Sequence, residues 1–285
     1  MLWIWQSGNK TGSGNPHPSA KVAGLSPYNF PGARTQGVSW VDANGDFWLF
    51  GGIYSDKNKR LTFYNDLWRF VPSLKAWEQV MTNGSADYGI KGVASAKNQP
   101  PSRMMASGWS DPEGNFWLFG GASADSTGKW NVYGDLWKFD TVNRQWIWTD
   151  GSKIIGDRSN TDSPMPTSRA TVWPDPETGN VHMYCAAYDD LWLWNHATKT
   201  WRLIIDDSNA PSSVIRPRSQ GPVVCHWRTT DGRCWLQFTR QRFHNLSYSK
   251  DYTWCFDPKV GTWSYVNGDI DPYPCIQEYN QVRSA

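Results

Sequence analysis

The chain contains no apolar run near the ~18 residues that a membrane-crossing helix needs, so no helical membrane span is expected. It has no excess of one charge. Lys and Arg number 28 against 26 Asp and Glu, a net charge of +2, and that balance provides no basic stripe for a nucleic-acid partner. The opening, Met1 to Gln6, has neither a basic n-region nor a long apolar h-region, so the chain as given starts without a signal peptide. No segment shows helical periodicity; what lies between the turns is short and rich in β-branched and aromatic residues, the composition of strands.

Catalytic and metal-binding patterns are equally scarce. Of the five His (His17, His182, His196, His226 and His244), no two stand at a metal-ligand spacing, so no metal, cofactor or catalytic residue is expected. Gly12-Ser13-Gly14 lacks the Lys-Ser/Thr sequel and the helix of a phosphate cradle. The Cys (185, 225, 234, 255 and 275) crowd into the last hundred residues, and an odd count leaves at least one thiol unpaired within the chain; the pairing of the rest stays open. Sequons at Asn9, Asn83 and Asn245 point toward an extracellular or secreted protein.

Tryptophan is what the chain does have: 20 in 285 residues, in a polar sequence of mean hydropathy −0.62. Its positions repeat. Phe47-Trp-Leu-Phe-Gly-Gly52 returns unchanged at Phe116 to Gly121. Asp-Leu-Trp recurs at 66–68, 135–137 and 190–192, decaying to Tyr252-Thr253-Trp254. Nine residues after each of these Trp stands another, at Trp77, Trp146, Trp201 and Trp263. Upstream, Trp40, Trp109, Trp173 and Trp227 each precede a turn closed by Gly, which takes φ > 0 at no steric cost.

Each unit therefore predicts four strands, in the first Thr35–Val41, Asp46–Gly51, Asp66–Val71 and Ala76–Met81. A tandem four-stranded unit is the sequence form of a propeller blade, so the expectation is an all-β propeller, a single domain over 1–285. Its blades fall at about 34–81, 103–150, 169–206 and 218–267, with an orphan outer strand at 2–6 and a tail at 268–285. A tight first turn would set Trp40 opposite Phe47, Trp109 opposite Phe116, Trp173 opposite Val181 and Trp227 opposite Cys234. Both faces of a blade are apolar on this reading, with Trp as the packing between neighbours.

The Gly-Gly after an apolar strand, followed by the fixed-spaced aromatic pair, resembles the kelch motif, over about Leu2 to Asn267. The resemblance implies a propeller like the central domain of galactose oxidase, a fold that carries binding modules as well as oxidases and sugar isomerases. Units three and four depart from it, with Cys185-Ala186 and Phe238-Thr239 in place of Gly-Gly. Kelch rings usually close with six or seven blades. Four suit a piece of a longer protein, a small ring with a makeshift extra blade, or a homo-oligomer.

Strand alternation sends the connections from strand two to three, and from strand four to the next blade, to one rim. They are the long ones, and long loops on a rigid scaffold are where recognition lives. This rim is the expected binding face, for a protein partner first and a glycan as the alternative. Its contact candidates are Lys57, Lys59, Arg60 and Phe63; Lys129, Trp130 and Tyr133; and Arg240, Arg242, Phe243, His244 and Tyr248. Four Arg that open the units, Arg34, Arg103, Arg169 and Arg218, are candidates on the same rim. They would hold a carboxylate there, or else pair with Asp66, Asp135 and Asp190 of their own blades.

Overall fold

Asp42 begins the first blade's opening turn, and what it bonds sets the whole sheet. Its backbone N–H donates to Asp46 O, and Gly45 N–H donates back to Asp42 O, closing a turn with Gly45 at φ 80°. The carboxylate of Asp42 also accepts from Asn44 N–H and from the indole Nε1–H of Trp48 at 2.9 Å. The turn is thus one residue longer than a tight hairpin, and this corrects the expected register: Trp40 pairs with Trp48, and Val41 with Phe47. The same shift gives Trp109 with Trp117, Trp173 with His182, and Trp227 with Trp235. In the first two blades both tryptophans of the pair consequently lie on one face, with Phe47 and Phe116 on the other.

The computed structural model describes residues 22–157, 159, 161–175, 178–188, 190–205, 223–228, 234–240, 250–257 and 262–268. Strands run β1 (Val38–Val41), β2 (Phe47–Phe50), β3 (Ile53–Ser55), β4 (Leu61–Phe63), β5 (Leu67–Val71) and β6 (Ala76–Met81) in the first blade. The second has β7 (Ser107–Ser110), β8 (Phe116–Phe119), β9 (Ala122–Ala124), β10 (Trp130–Val132), β11 (Leu136–Asp140) and β12 (Gln145–Asp150). The third has β13 (Thr171–Pro174), β14 (Val181–Cys185), β15 (Asp190–Asn195) and β16 (Thr200–Ile205). In the fourth are β17 (Val223–Arg228), β18 (Cys234–Arg240), β19 (Lys250–Asp257) and β20 (Thr262–Gly268). Each four-stranded sheet is antiparallel, β1-β2-β5-β6 and its three counterparts, which is the blade of an all-β propeller. All four third strands carry an irregularity at the same point, beside Trp68, Trp137, Trp192 and Trp254. A bulge at a fixed slot is a property of the repeat.

The chain divides into two compact units, Met1–Thr161 with Met165–Ser168, and Asp162–Pro164 with Arg169–Ala285. In the first, the core lies between blades one and two. Trp40 stacks on Phe116 at 5.2 Å, Trp48 meets Phe139 at 5.7 Å, and Phe50 meets Trp146 at 5.2 Å. In the second, blades three and four repeat the last two contacts: His182, in the Trp48 slot, lies 5.3 Å from Phe256, and Tyr184 lies 6.2 Å from Trp263. Trp68, Trp137, Trp192 and Trp254 are all buried. Indole at fixed slots is inter-blade packing, each contact combining apolar burial with an offset or edge-on ring geometry.

Candidate functional site

Two rim features of the expected site turn out to be scaffold. The Arg34 side chain, 4% exposed, donates from NH1 and NH2 to Asp66 at 2.6 and 2.9 Å, with further bonds to Gly51 O and Gly32 O. Arg103 repeats the set on Asp135 at 2.7 Å twice, on Gly120 O and on Pro101 O. Each guanidinium lies over a buried tyrosine of its own blade, Tyr64 at 4.1 Å and Tyr133 at 4.3 Å. Tyr133, expected as a contact residue, is thus covered, and its hydroxyl shares a hydrogen bond with Ser123 Oγ at 2.8 Å.

Asp135 also accepts from Tyr88 Oη at 2.6 Å and from Trp137 Nε1 at 2.8 Å. Burial by itself would raise its pKa, but the charge of Arg103 and these hydrogen bonds outweigh that and hold it below the ordinary carboxylate range. Burial and the neighbouring Asp135 push the Tyr88 hydroxyl the other way, well above a normal phenol. The group is a satisfied buried ion pair. Four of the five guanidinium N–H groups of Arg103 are used inside the blade, and its side chain is only 1% exposed.

Arg169 is not the third member of this series. Thr171 pairs with Tyr184 as Ser107 pairs with Phe119, so the position equivalent to Arg103 is Thr167. Arg169 stands two residues further on, at φ 63°, where Gln36 and Met105 adopt φ 59° and 56°. Its side chain is exposed. Arg218, Arg242, Phe243, His244 and Tyr248 lie outside the described residues, and Arg240 is described only as backbone paired with Lys250.

The connections into the first two blades are likewise built in. Ser26 exchanges both backbone hydrogen bonds with Trp77 of β6, and Ser95 bridges Trp146 of β12. Asn29 and Asn98, both 1% exposed, tie these segments down: Asn29 Nδ2 donates to Val22 O and Gly24 O, and Asn98 Nδ2 to Val93 O and Trp146 O. Segments 22–34 and 83–103 thus cover the outer edges of their blades, where an open strand would invite pairing with another chain. A recurrent Ser-x-x-Asn-x-Pro-x-x-Arg, at 26–34 and 95–103, is the signal that would have located them.

Among the described residues, what remains projecting is the pair of connections from strand two to strand three of the first two blades. They are hairpins, not open loops: β3 with β4, and β9 with β10. Each leaves its blade through the Gly-Gly, whose φ values are 66° and 98° at Gly51 and Gly52, and 66° and 99° at Gly120 and Gly121. Space as well as torsion demands glycine here. A Cβ on Gly51 would lie 2.7 Å from Arg103 O, the carbonyl that accepts Gly52 N–H. Where the third blade has Cys185-Ala186 the requirement has gone: Cys185 pairs directly with Asp190, and a short turn replaces the hairpin.

Asp56 and Asp125 shape the two tips. One oxygen of Asp56 accepts from the N–H groups of Asn58 and Arg60, and one oxygen of Asp125 from those of Thr127 and Lys129. Lys57, Lys59, Arg60 and Lys129 are exposed around these turns. Phe63, half-buried at the end of β4, meets the edge of Trp130 at 6.1 Å with the rings at 89°. Trp130 is 51% exposed, and no other tryptophan whose burial the structure describes is as open. Gly156 N–H donates to Val132 O, which brings Ile154 and Ile155 to the far side of β10.

No family model matches this chain, and no curated protein matches it. Among solved structures it is similar to that of YjhT, at 14% identity and a TM-score of 0.55 over 86% of this chain and 73% of that one. It is also similar to a protein of unknown function from Dyadobacter fermentans, at 12% identity and a TM-score of 0.50 over 86% of this chain and 68% of that one. At such identities the likeness bears on the fold alone, and it agrees with the blade architecture read from the repeats.

Proposed function

We propose that this propeller is a carbohydrate-recognition module whose glycan-facing surface is the pair of hairpins β3–β4 and β9–β10, with Trp130 as the stacking platform. The observation that carries the reading is the exposure of Trp130, at 51%, on a hairpin braced by Phe63. Elsewhere in the blades the tryptophans whose burial is described go to packing. An aromatic ring held out to solvent on a rigid element forgoes that burial, and a flat apolar face beside polar groups suits the face of a sugar ring. The Gly-Gly and paired-Trp slots, together with these hairpins, support placing the chain among kelch-type propellers.

The test is a glycan array probed with the protein and with Trp130→Ala. Binding by the first that is lost in the second supports the proposal, and a blank array from folded protein rejects it. A protein partner is the second reading, favoured by the exposure of Leu61 at 44%, Ile154 at 65% and Ile155 at 48% near the same hairpins. An apolar patch rimmed by Lys and Arg is a common form of protein interface. Affinity capture that depends on Ile154 and Ile155 but not on Trp130 would favour it.

A further inference from the structure

The two hairpin tips carry four exposed cations, Lys57, Lys59, Arg60 and Lys129, against two carboxylates, Asp56 and Asp125. Both carboxylates are committed: each has one oxygen bonded to N–H groups of its own turn. The ammonium and guanidinium groups have no such role in the turns, which draw on the backbone of these residues: the N–H of Lys59, Arg60 and Lys129 and the carbonyls of Arg60 and Lys129. This local excess stands out in a chain whose overall charge is only +2. It also sits at the aromatic pair. Arg60 is three residues from Phe63 and Lys129 adjoins Trp130, and the contact of those two rings sets the base of the first hairpin, where Phe63 pairs with Ile53, against the tip-side end of the second, where Trp130 pairs with Ala124.

We infer that the ligand of this rim is an acidic polysaccharide, one bearing carboxylate or sulfate groups along an extended chain, with sugar faces on Trp130 and Phe63 and acidic groups on the four cations. The inference rests on the glycan reading above and names its substrate class. A chain, in place of a single sugar, follows from the layout: the cations are divided between two hairpins on different blades, and Trp130 between them is 51% exposed. Repeated acidic groups on one chain engage both tips at once, so individually weak, screened contacts add through effective concentration. Shape and charge divide the work, the ring supplying contact with the sugar and the cations supplying the preference for acid.

The experiment is a binding titration of the full chain with four polymers of matched length: neutral dextran, dextran sulfate, polygalacturonate and polyglutamate. Dextran and its sulfate share a backbone, and polygalacturonate and polyglutamate share the carboxylate. The expected result is that both acidic polysaccharides bind about tenfold or more tightly than dextran, weakening steeply between about 50 and 300 mM salt. In a Lys57→Gln, Lys59→Gln, Arg60→Gln variant the preference for acid shrinks to about twofold and the salt dependence flattens. Trp130→Ala weakens all three polysaccharides together. Lys129→Gln, a milder change on the second tip, lowers the acidic affinities alone and serves if the triple variant misfolds by circular dichroism.

Equal affinity for dextran and its sulfate overturns the charge inference while leaving the glycan reading intact. Binding of no polysaccharide overturns both. Polyglutamate bound as tightly as polygalacturonate, or acid binding unchanged in the triple variant, also overturns the inference, since either result means attraction without this site's recognition of sugar.

Discussion

The guanidinium of Arg103 and the carboxylate of Asp135 meet through two parallel contacts of 2.7 Å, with side chains 1% and 0% exposed. Arg34 and Asp66 stand in the same relation one blade earlier. Breaking a buried pair leaves the survivor charged and unsolvated, so Asp135→Asn should destabilise the protein by about 3–5 kcal/mol in urea denaturation. Replacing both partners with apolar residues, Arg103→Met with Asp135→Leu, should cost less than the single change, because no orphaned charge remains.

The same pair contributes to acid stability. Asp135 has its pKa depressed in the fold, so its contribution is fully present above the unfolded carboxylate value of about 4 and is lost as pH falls through the lower folded value. Denaturation midpoints should therefore drop below about pH 4, and Asp135→Asn should flatten that slope. Tyr88 acts at the other end. Its raised pKa means that the unfolded chain ionises first above about pH 10, so stability should also fall there, and less so in Tyr88→Phe.

Gly121 provides a test of the hairpin exits. At φ 99°, with Met104 O 2.8 Å from where a Cβ would sit, Gly121→Ala meets both torsional strain and a backbone clash. A loss of at least about 1–3 kcal/mol is expected from thermal melts. Ala186→Gly, the reverse change in the third blade, should alter stability by no more than about 1 kcal/mol, since no hairpin exits there.

Trp48 joins the turn to the inter-blade core, through Asp42 at one end and Phe116 and Phe139 at the other. Truncation to Ala should cost about 3–5 kcal/mol. Trp130→Ala, on the exposed hairpin, should move the melting midpoint very little, within about 0.5 kcal/mol. A large loss from Trp130→Ala would recast that residue as scaffold and remove the basis of the proposed site.

Asn98 should control the outer edge of blade two. Its removal in Asn98→Ala frees the carbonyls of Val93 and Trp146, for a cost of about 1–3 kcal/mol. Hydrogen exchange should quicken first in β12 and in the segment that covers it.

The blades were legible because their signals are local and repeated. Asp-Leu-Trp, the second Trp nine residues later and the Gly-closed turns mark strands wherever they occur, and β6 runs from Ala76 to Met81, as the spacing predicts. The site was less legible. Lys57, Lys59, Arg60, Phe63 and Trp130 do meet on one pair of hairpins, but nothing in their own segments reveals that Phe63 and Trp130 touch across blades. Arg169 looked equivalent to Arg103 by its neighbours Ser and Ala, yet strand pairing puts it two residues out of step.

By itself the order of residues determined the class of structure, the number of recognisable blades and the use of indole as packing, because periodic apolar slots and turn chemistry act over a few residues. Only the tertiary structure decided which polar side chains are spent. Whether Arg103 reaches a ligand or Asp135, and whether an inter-blade segment projects or lies along β12, depends on hydrogen bonds between residues 32 and 48 positions apart. Those partners become neighbours when a blade's strands pair and the segment before it lies along the sheet, and burial then fixes which charges are consumed and leaves Trp130 and the tip cations facing water.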